Sequence, residues 1–139
     1  MGEQSTIRET ETSKSRALEP LPKLVSLITQ AAGEAKAFDV TILDLSSLFS
    51  LSDHFVILSG RSDRHVQGIC NRIRAHLRDE GVKPLAIEGY DKAHWILMDF
   101  DDVLVHVFYG PEREKYSLES LWVGAKELPI PDGDEQQAA

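Results

Sequence analysis

Cysteine is almost absent: Cys70 stands alone among 139 residues. No disulfide can form within the chain, and no thiol-based zinc site can be assembled from one copy, which fits a reducing cytosol. The five histidines are scattered without ligand spacing, so the expectation is no metal and no cofactor. No apolar run approaches the roughly twenty residues needed to span a bilayer. The first residues lack the apolar core of a secretory signal, and Glu3, Glu9, Glu11 and Glu19 argue against an organellar transit peptide. The expected location is the cytoplasm. Positive charge is also short, with 15 Lys and Arg against 23 Asp and Glu, a net charge of -8. An acidic domain without a Lys/Arg stripe lacks what direct or sequence-specific nucleic-acid binding requires, and suits a basic protein partner better.

The length suits one domain with a proper core. Residues 1–20 hold hardly any large apolar side chains, so they read as a disordered tail. From Leu21 the pattern turns helical through Leu24, Val25, Ile28, Ala31, Ala32 and Ala35, with Pro22 in the first turn and Asp39 in the connection that follows. Val40 to Leu45 is then a short strand. Ser46 to Asp53 is less regular; its Leu48, Phe49 and Leu51 either tuck onto the domain or serve self-association. Phe55 to Ser59 is a continuous apolar run typical of a buried central strand.

Gly60 leads into a helix from Asp63 to Glu80, with Ser62 as N-cap, Gly81 as the residue after the C-cap, and Val66, Ile69, Cys70, Ile73 and Leu77 as the buried stripe. Leu85 to Glu88 is the next strand. Tyr109-Gly110-Pro111 should break the sheet, and Glu112 to Trp122 returns to helical spacing until Leu128-Pro129 ends it. Residues 129–139 read as a disordered acidic tail. The expected organisation is an α/β domain over 21–128, with a mixed sheet of about five strands flanked by helices.

The most informative stretch is Trp95 to Phe108. Two runs rich in aromatic and β-branched residues flank Asp101-Asp102, which signals a β-hairpin with the two aspartates as its loop. Period-two alternation then sets Phe100 against Val103, Met98 against Val105 and Ile96 against Val107 on a wholly apolar face. The opposite face pairs Asp99 with Leu104, Leu97 with His106 and Trp95 with Phe108. Such a face is either packed beneath a helix or used for recognition, because Trp, Phe and His beside a carboxylate offer rigid apolar area with a polar handle. The spacing does not decide between them.

Catalytic readings are weaker. Asp99 and Asp101, with Gly60 and Ser62, faintly suggest a small Mg²⁺-dependent nucleotidyltransferase, but a whole helix and a strand separate the Gly-Ser turn from the carboxylates. Asp101 and Asp102 are better explained as turn residues tolerant of positive φ. His106 beside Asp99 would make a general-base pair, yet no nucleophile lies on the same hairpin face.

The pieces ILDL, LSDHFVILSGRSDRHV, IEGY, WILMDFDDVLVHVF and an Arg ahead of YSLESLW, in that order, resemble the Iojap-like family of bacterial ribosomal silencing factors (RsfS), which has relatives in mitochondria and chloroplasts. The resemblance runs from about Leu43 to Ala125, some three fifths of the chain, with Arg113, Tyr116, Leu118, Glu119, Leu121 and Trp122 at the family's spacing. It departs at the hairpin turn, where the usual Gly is Asp101. It implies a nucleotidyltransferase-like fold without the active site, and no enzyme activity. It implies binding to ribosomal protein L fourteen on the large subunit, a block on small-subunit joining, repression of translation in nutrient limitation, and homodimers. The partner-binding residues it implies are Trp95, Leu97, Asp99, His106, Phe108, Tyr116, Leu118, Glu119 and Trp122. Leu121 and Trp122 equally suit a buried helix stripe.

Overall fold

The structure, a computed structural model, describes residues 21–46, 53–116 and 125–130. Helix α1 (Lys23–Glu34) starts directly after Pro22, which occupies the N-cap position rather than the first turn. It buries Val25, Ile28, Ala31 and Ala32 of the stripe read from the sequence, with Leu24 and Ala35 partly buried against the same core. The chain then enters β1 (Phe38–Asp44), two residues earlier than expected. Asp39 belongs to this strand, not to the connection: it sits at φ 51°, where the β1 register shifts between Phe38 and Thr41. Asp is among the few residues that reach the left-handed region at low cost, so it suits a bulge.

Strand β2 (His54–Gly60) is buried from Phe55 onward and lies in the middle of the sheet, as its continuous apolar run requires. Helix α2 (Asp63–Asp79) is capped by Ser62, whose Oγ accepts the His65 backbone N–H at 3.0 Å. It ends with Gly81 at φ 82°. Strands β3 (Ala86–Glu88), β4 (Trp95–Asp99) and β5 (Val103–Tyr109) follow. Gly110 and Pro111 do not break the chain out of regular structure; they open helix α3 (Gly110–Tyr116), where Pro is favoured because its missing N–H is not needed.

A sixth strand, β6 (Lys126–Leu128), falls where helical spacing was expected to run on. It pairs antiparallel with the edge of β1, Leu128 against Ile42 and Lys126 against Asp44. Three residues carry no periodicity, so only the open edge of β1 reveals this pairing. The sheet order is β3-β4-β5-β2-β1-β6, with β2 and β5 parallel and every other pair antiparallel. The result is the expected mixed α/β fold with one strand more. Leu48, Phe49 and Leu51, the bulk of both expected tails, and the segment 117–124 lie outside the described residues.

The hairpin register is the one that alternation demands: Trp95 faces Phe108, Ile96 faces Val107, Leu97 faces His106, Met98 faces Val105 and Asp99 faces Leu104. Asp101 adopts φ 75° in the loop, and its N–H donates to the Asp99 carboxylate at 2.8 Å. Ile96, Met98, Val105 and Val107 join α1 and α2 in the main core. On the opposite sheet face a smaller core forms from Leu43, Leu45, Phe55, Ile57 and Phe108, with Trp95, Leu104 and Ala125 against it.

Candidate partner-binding site

The mixed hairpin face is part packing and part surface. Phe108 is fully buried and His106 is 4% exposed, so neither presents a contact surface in this conformation. The parallel pairing of β5 with β2 brings Ser59 level with Phe108 and Ile57 level with His106, which seals both from one side. Trp95, Leu97 and Asp99 lie one strand nearer the sheet edge and remain partly open. Tyr116 is 45% exposed.

These side chains form one aromatic group. The Trp95 ring stacks on Phe108 at 4.9 Å between centroids and meets Tyr116 at 4.7 Å, so the end of α3 is laid onto the start of β4. Phe55 approaches the His106 ring at 4.6 Å from the other flank. Aromatic pairs at such separations add to the effect of area burial and hold the rings in place. His106 Nδ1 accepts the Trp95 indole N–H at 3.2 Å, and its buried Nε2 has no hydrogen-bond partner among the described residues. Burial lowers the His106 pKa from 6.5 to about 4, because a charged imidazole would lose its water. The ring is therefore neutral at physiological pH, with its proton on Nε2.

Arg113 anchors α3 beneath this group. It is 8% exposed, and its guanidinium donates to Ser59 Oγ at 2.9 Å, Thr41 Oγ1 at 2.8 Å and the Asp39 carbonyl. The left-handed bulge at Asp39 thus supplies an acceptor for the residue that ties α3, the helix ending at Tyr116, to the sheet. The sequence placed Arg113 in the motif without a role. Its purpose depends on β1, where Thr41 lies 72 residues earlier in the chain, and no local pattern carries that.

The catalytic alternatives are not assembled. Gly60 is level with Tyr109, whereas the Asp102 carbonyl accepts the Asp53 and His54 N–H groups at the far end of the same strands. A strand of that length spans roughly 20 Å, so the Gly-Ser turn and the hairpin aspartates sit at opposite ends of the sheet. Asp99 caps the hairpin loop and stands opposite Leu104, while His106 bonds to Trp95, so the two make no acid-base pair. Leu118, Glu119 and Trp122 lie outside the described residues.

Sheet, helices and half-open aromatic row define a mixed α/β domain whose candidate site is a surface rather than a cleft. Residues 18–139 match the family model described as "Ribosomal silencing factor during starvation". The chain is 36% identical over 111 residues to a Bacillus subtilis protein named ribosomal silencing factor RsfS, covering 80% of this chain and 92% of that one. It is 32% identical over 102 residues to a mouse protein named mitochondrial assembly of ribosomal large subunit protein 1, covering 71% of this chain and 43% of that one. A crystal structure of a Chromobacterium violaceum protein superposes with a TM-score of 0.72 at 29% identity, covering 87% of this chain and all of that one. The chain belongs to the ribosomal silencing factor RsfS family.

Proposed function

We propose that this protein binds ribosomal protein L fourteen on the large ribosomal subunit, obstructs joining of the small subunit and so represses translation during nutrient limitation, without catalysing a reaction. The observation that carries the reading is the open row of Trp95, Leu97 and Asp99 with Tyr116, held rigid from behind by Phe108 and His106. Rigid aromatic anchors beside an aliphatic side chain and a carboxylate suit a basic protein surface, and the net charge of -8 favours the same encounter. The name of the mouse relative, which refers to the large subunit, points to the same particle. Binding belongs to the domain of 21–128, with Leu118, Glu119 and Trp122 extending the contact beyond Tyr116. The protein acts in the cytoplasm, and it forms a homodimer.

Co-sedimentation with purified large subunits tests this. Trp95→Ala, and charge reversal in Glu119→Lys, should each remove the protein from the large-subunit fraction while far-ultraviolet circular dichroism and a cooperative thermal melt show that the fold is kept. Wild-type protein should lower the yield of joined ribosomes in proportion to its occupancy. If folded Trp95→Ala still co-sediments as wild type does, the hairpin surface is not the contact.

A further inference from the structure

Among the described residues two large apolar side chains are exposed: Tyr116, within the site above, and Leu85, at 71% and on the other side of the hairpin. Leu85 immediately precedes β3, which is the edge of the sheet. Among the described residues one side of the β3 backbone therefore faces no strand, and an unpaired edge is a template for another. Beside that edge, between it and α2, lies a cleft of about 380 Å³ lined by Arg74, Pro84, Ala86, Ile87 and Tyr90.

The geometry points to a second docking site here, for an extended polypeptide segment that adds to β3, buries an apolar side chain in the cleft and pairs a carboxylate with Arg74. Strand addition takes affinity from main-chain hydrogen bonds and specificity from pockets that receive alternate side chains. Ile87 faces Met98, a member of the core beneath the helices, so the side chains of an added strand level with Ile87 point toward α2 and the cleft. Its far wall is already set. The Tyr90 hydroxyl accepts from Asn71 at 2.9 Å, and the Tyr90 carbonyl accepts the Gln67 side-chain amide at 2.9 Å. Little ordering remains to be done when a ligand arrives.

Charge selects the ligand. Arg74 makes no ion pair or hydrogen bond among the described residues, whereas nearby Arg72 is held by Glu34 at 2.8 Å. Arg74 is also the one charged residue among the described lining of the cleft. A carboxylate meets that requirement with a charge-assisted hydrogen bond. A nucleic-acid strand would leave the β3 edge unused and bring a polyanion to a chain of net charge -8.

The test is an NMR titration of the isotope-labelled full chain with a peptide of roughly eight residues, a typical strand length, alternating valine and threonine around one central glutamate. Saturable shifts centred on Ala86, Glu88 and Tyr90 are expected. Arg74→Glu, lysine in place of the glutamate, or N-methylation of alternate peptide amides should each weaken binding by about tenfold, and Trp95→Ala should leave it unchanged. Absence of saturable shifts, equal binding of the lysine peptide, or tolerance of N-methylation overturns the proposal. So does preferential shifting of these residues by a single-stranded RNA, or a dimer that Leu85→Lys converts to monomer, which would assign the edge to a second copy.

Discussion

The Trp95 indole donates to Nδ1 of His106 at 3.2 Å although the two are diagonal neighbours, Trp95 lying opposite Phe108 and Leu97 opposite His106. A buried imidazole thereby fixes the orientation of the largest described side chain on the candidate surface. It must be neutral to do so, since a protonated Nδ1 donates and cannot accept.

Acid should therefore loosen the fold through His106. Its pKa is 6.5 when unperturbed and about 4 in the folded chain. Between these values the unfolded chain binds the proton and the folded chain does not, so stability falls as pH drops from about 6.5 toward 4 and is flat on this account above pH 7. The full effect is on the order of 3 kcal/mol. Urea midpoints measured across that range should fall for the wild type and fall less for His106→Leu; parallel curves would refute the assignment.

Tyr116→Ala should weaken large-subunit binding by about tenfold to a hundredfold, the scale of an aromatic hot spot, with stability changed by less than about 1 kcal/mol because the ring is an exposed neighbour of Trp95. Sedimentation binding curves beside thermal melts separate the two effects. A large drop in the melting temperature would mean that Tyr116 holds α3 in place instead.

Arg113→Met keeps the stem and removes the guanidinium bonded to Ser59, Thr41 and Asp39. Ser59 Oγ then stays buried without its donor, while Thr41 and the Asp39 carbonyl lose theirs in part-buried surroundings, which should cost about 1 to 3 kcal/mol in denaturant unfolding. Arg113→Lys should recover only part of it, because one ammonium lacks the planar fork that reaches several acceptors. Full recovery by lysine would reduce the role of Arg113 to simple charge.

Gly89 joins β3 to β4 at φ 84°, and a Cβ there would lie 2.2 Å from the Trp95 carbonyl oxygen. Gly89→Ala should destabilise by more than about 2 kcal/mol and disturb the Trp95 backbone. Gly81 has nearly the same φ, 82°, but open space around it, so Gly81→Ala should cost only about 1 kcal/mol. Equal losses in the two variants would show that the Trp95 carbonyl moves aside freely.

The hairpin was legible residue by residue, because side-chain alternation and a two-aspartate loop leave one register in which the apolar set stays together. The stripe and cap of α2 were legible for the same kind of reason, since helical period and capping chemistry are local. Other features were not. β6 exists only because β1 offers an edge to it, and the bulge at Asp39 gains its purpose from Arg113, far along the chain.

What the sequence determined by itself is the pairing of the hairpin and the separation of its residues into an apolar and a mixed face, because both follow from period and turn. Which members of the mixed face meet solvent was decided by tertiary structure alone. His106 and Phe108 lie on β5 beside the central β2, with Phe55 against the His106 ring, whereas Trp95 and Leu97 lie on β4 beside the three-residue edge strand β3. Burial depends on strand order and on what is laid across the sheet, and neither is a property of any short stretch of chain.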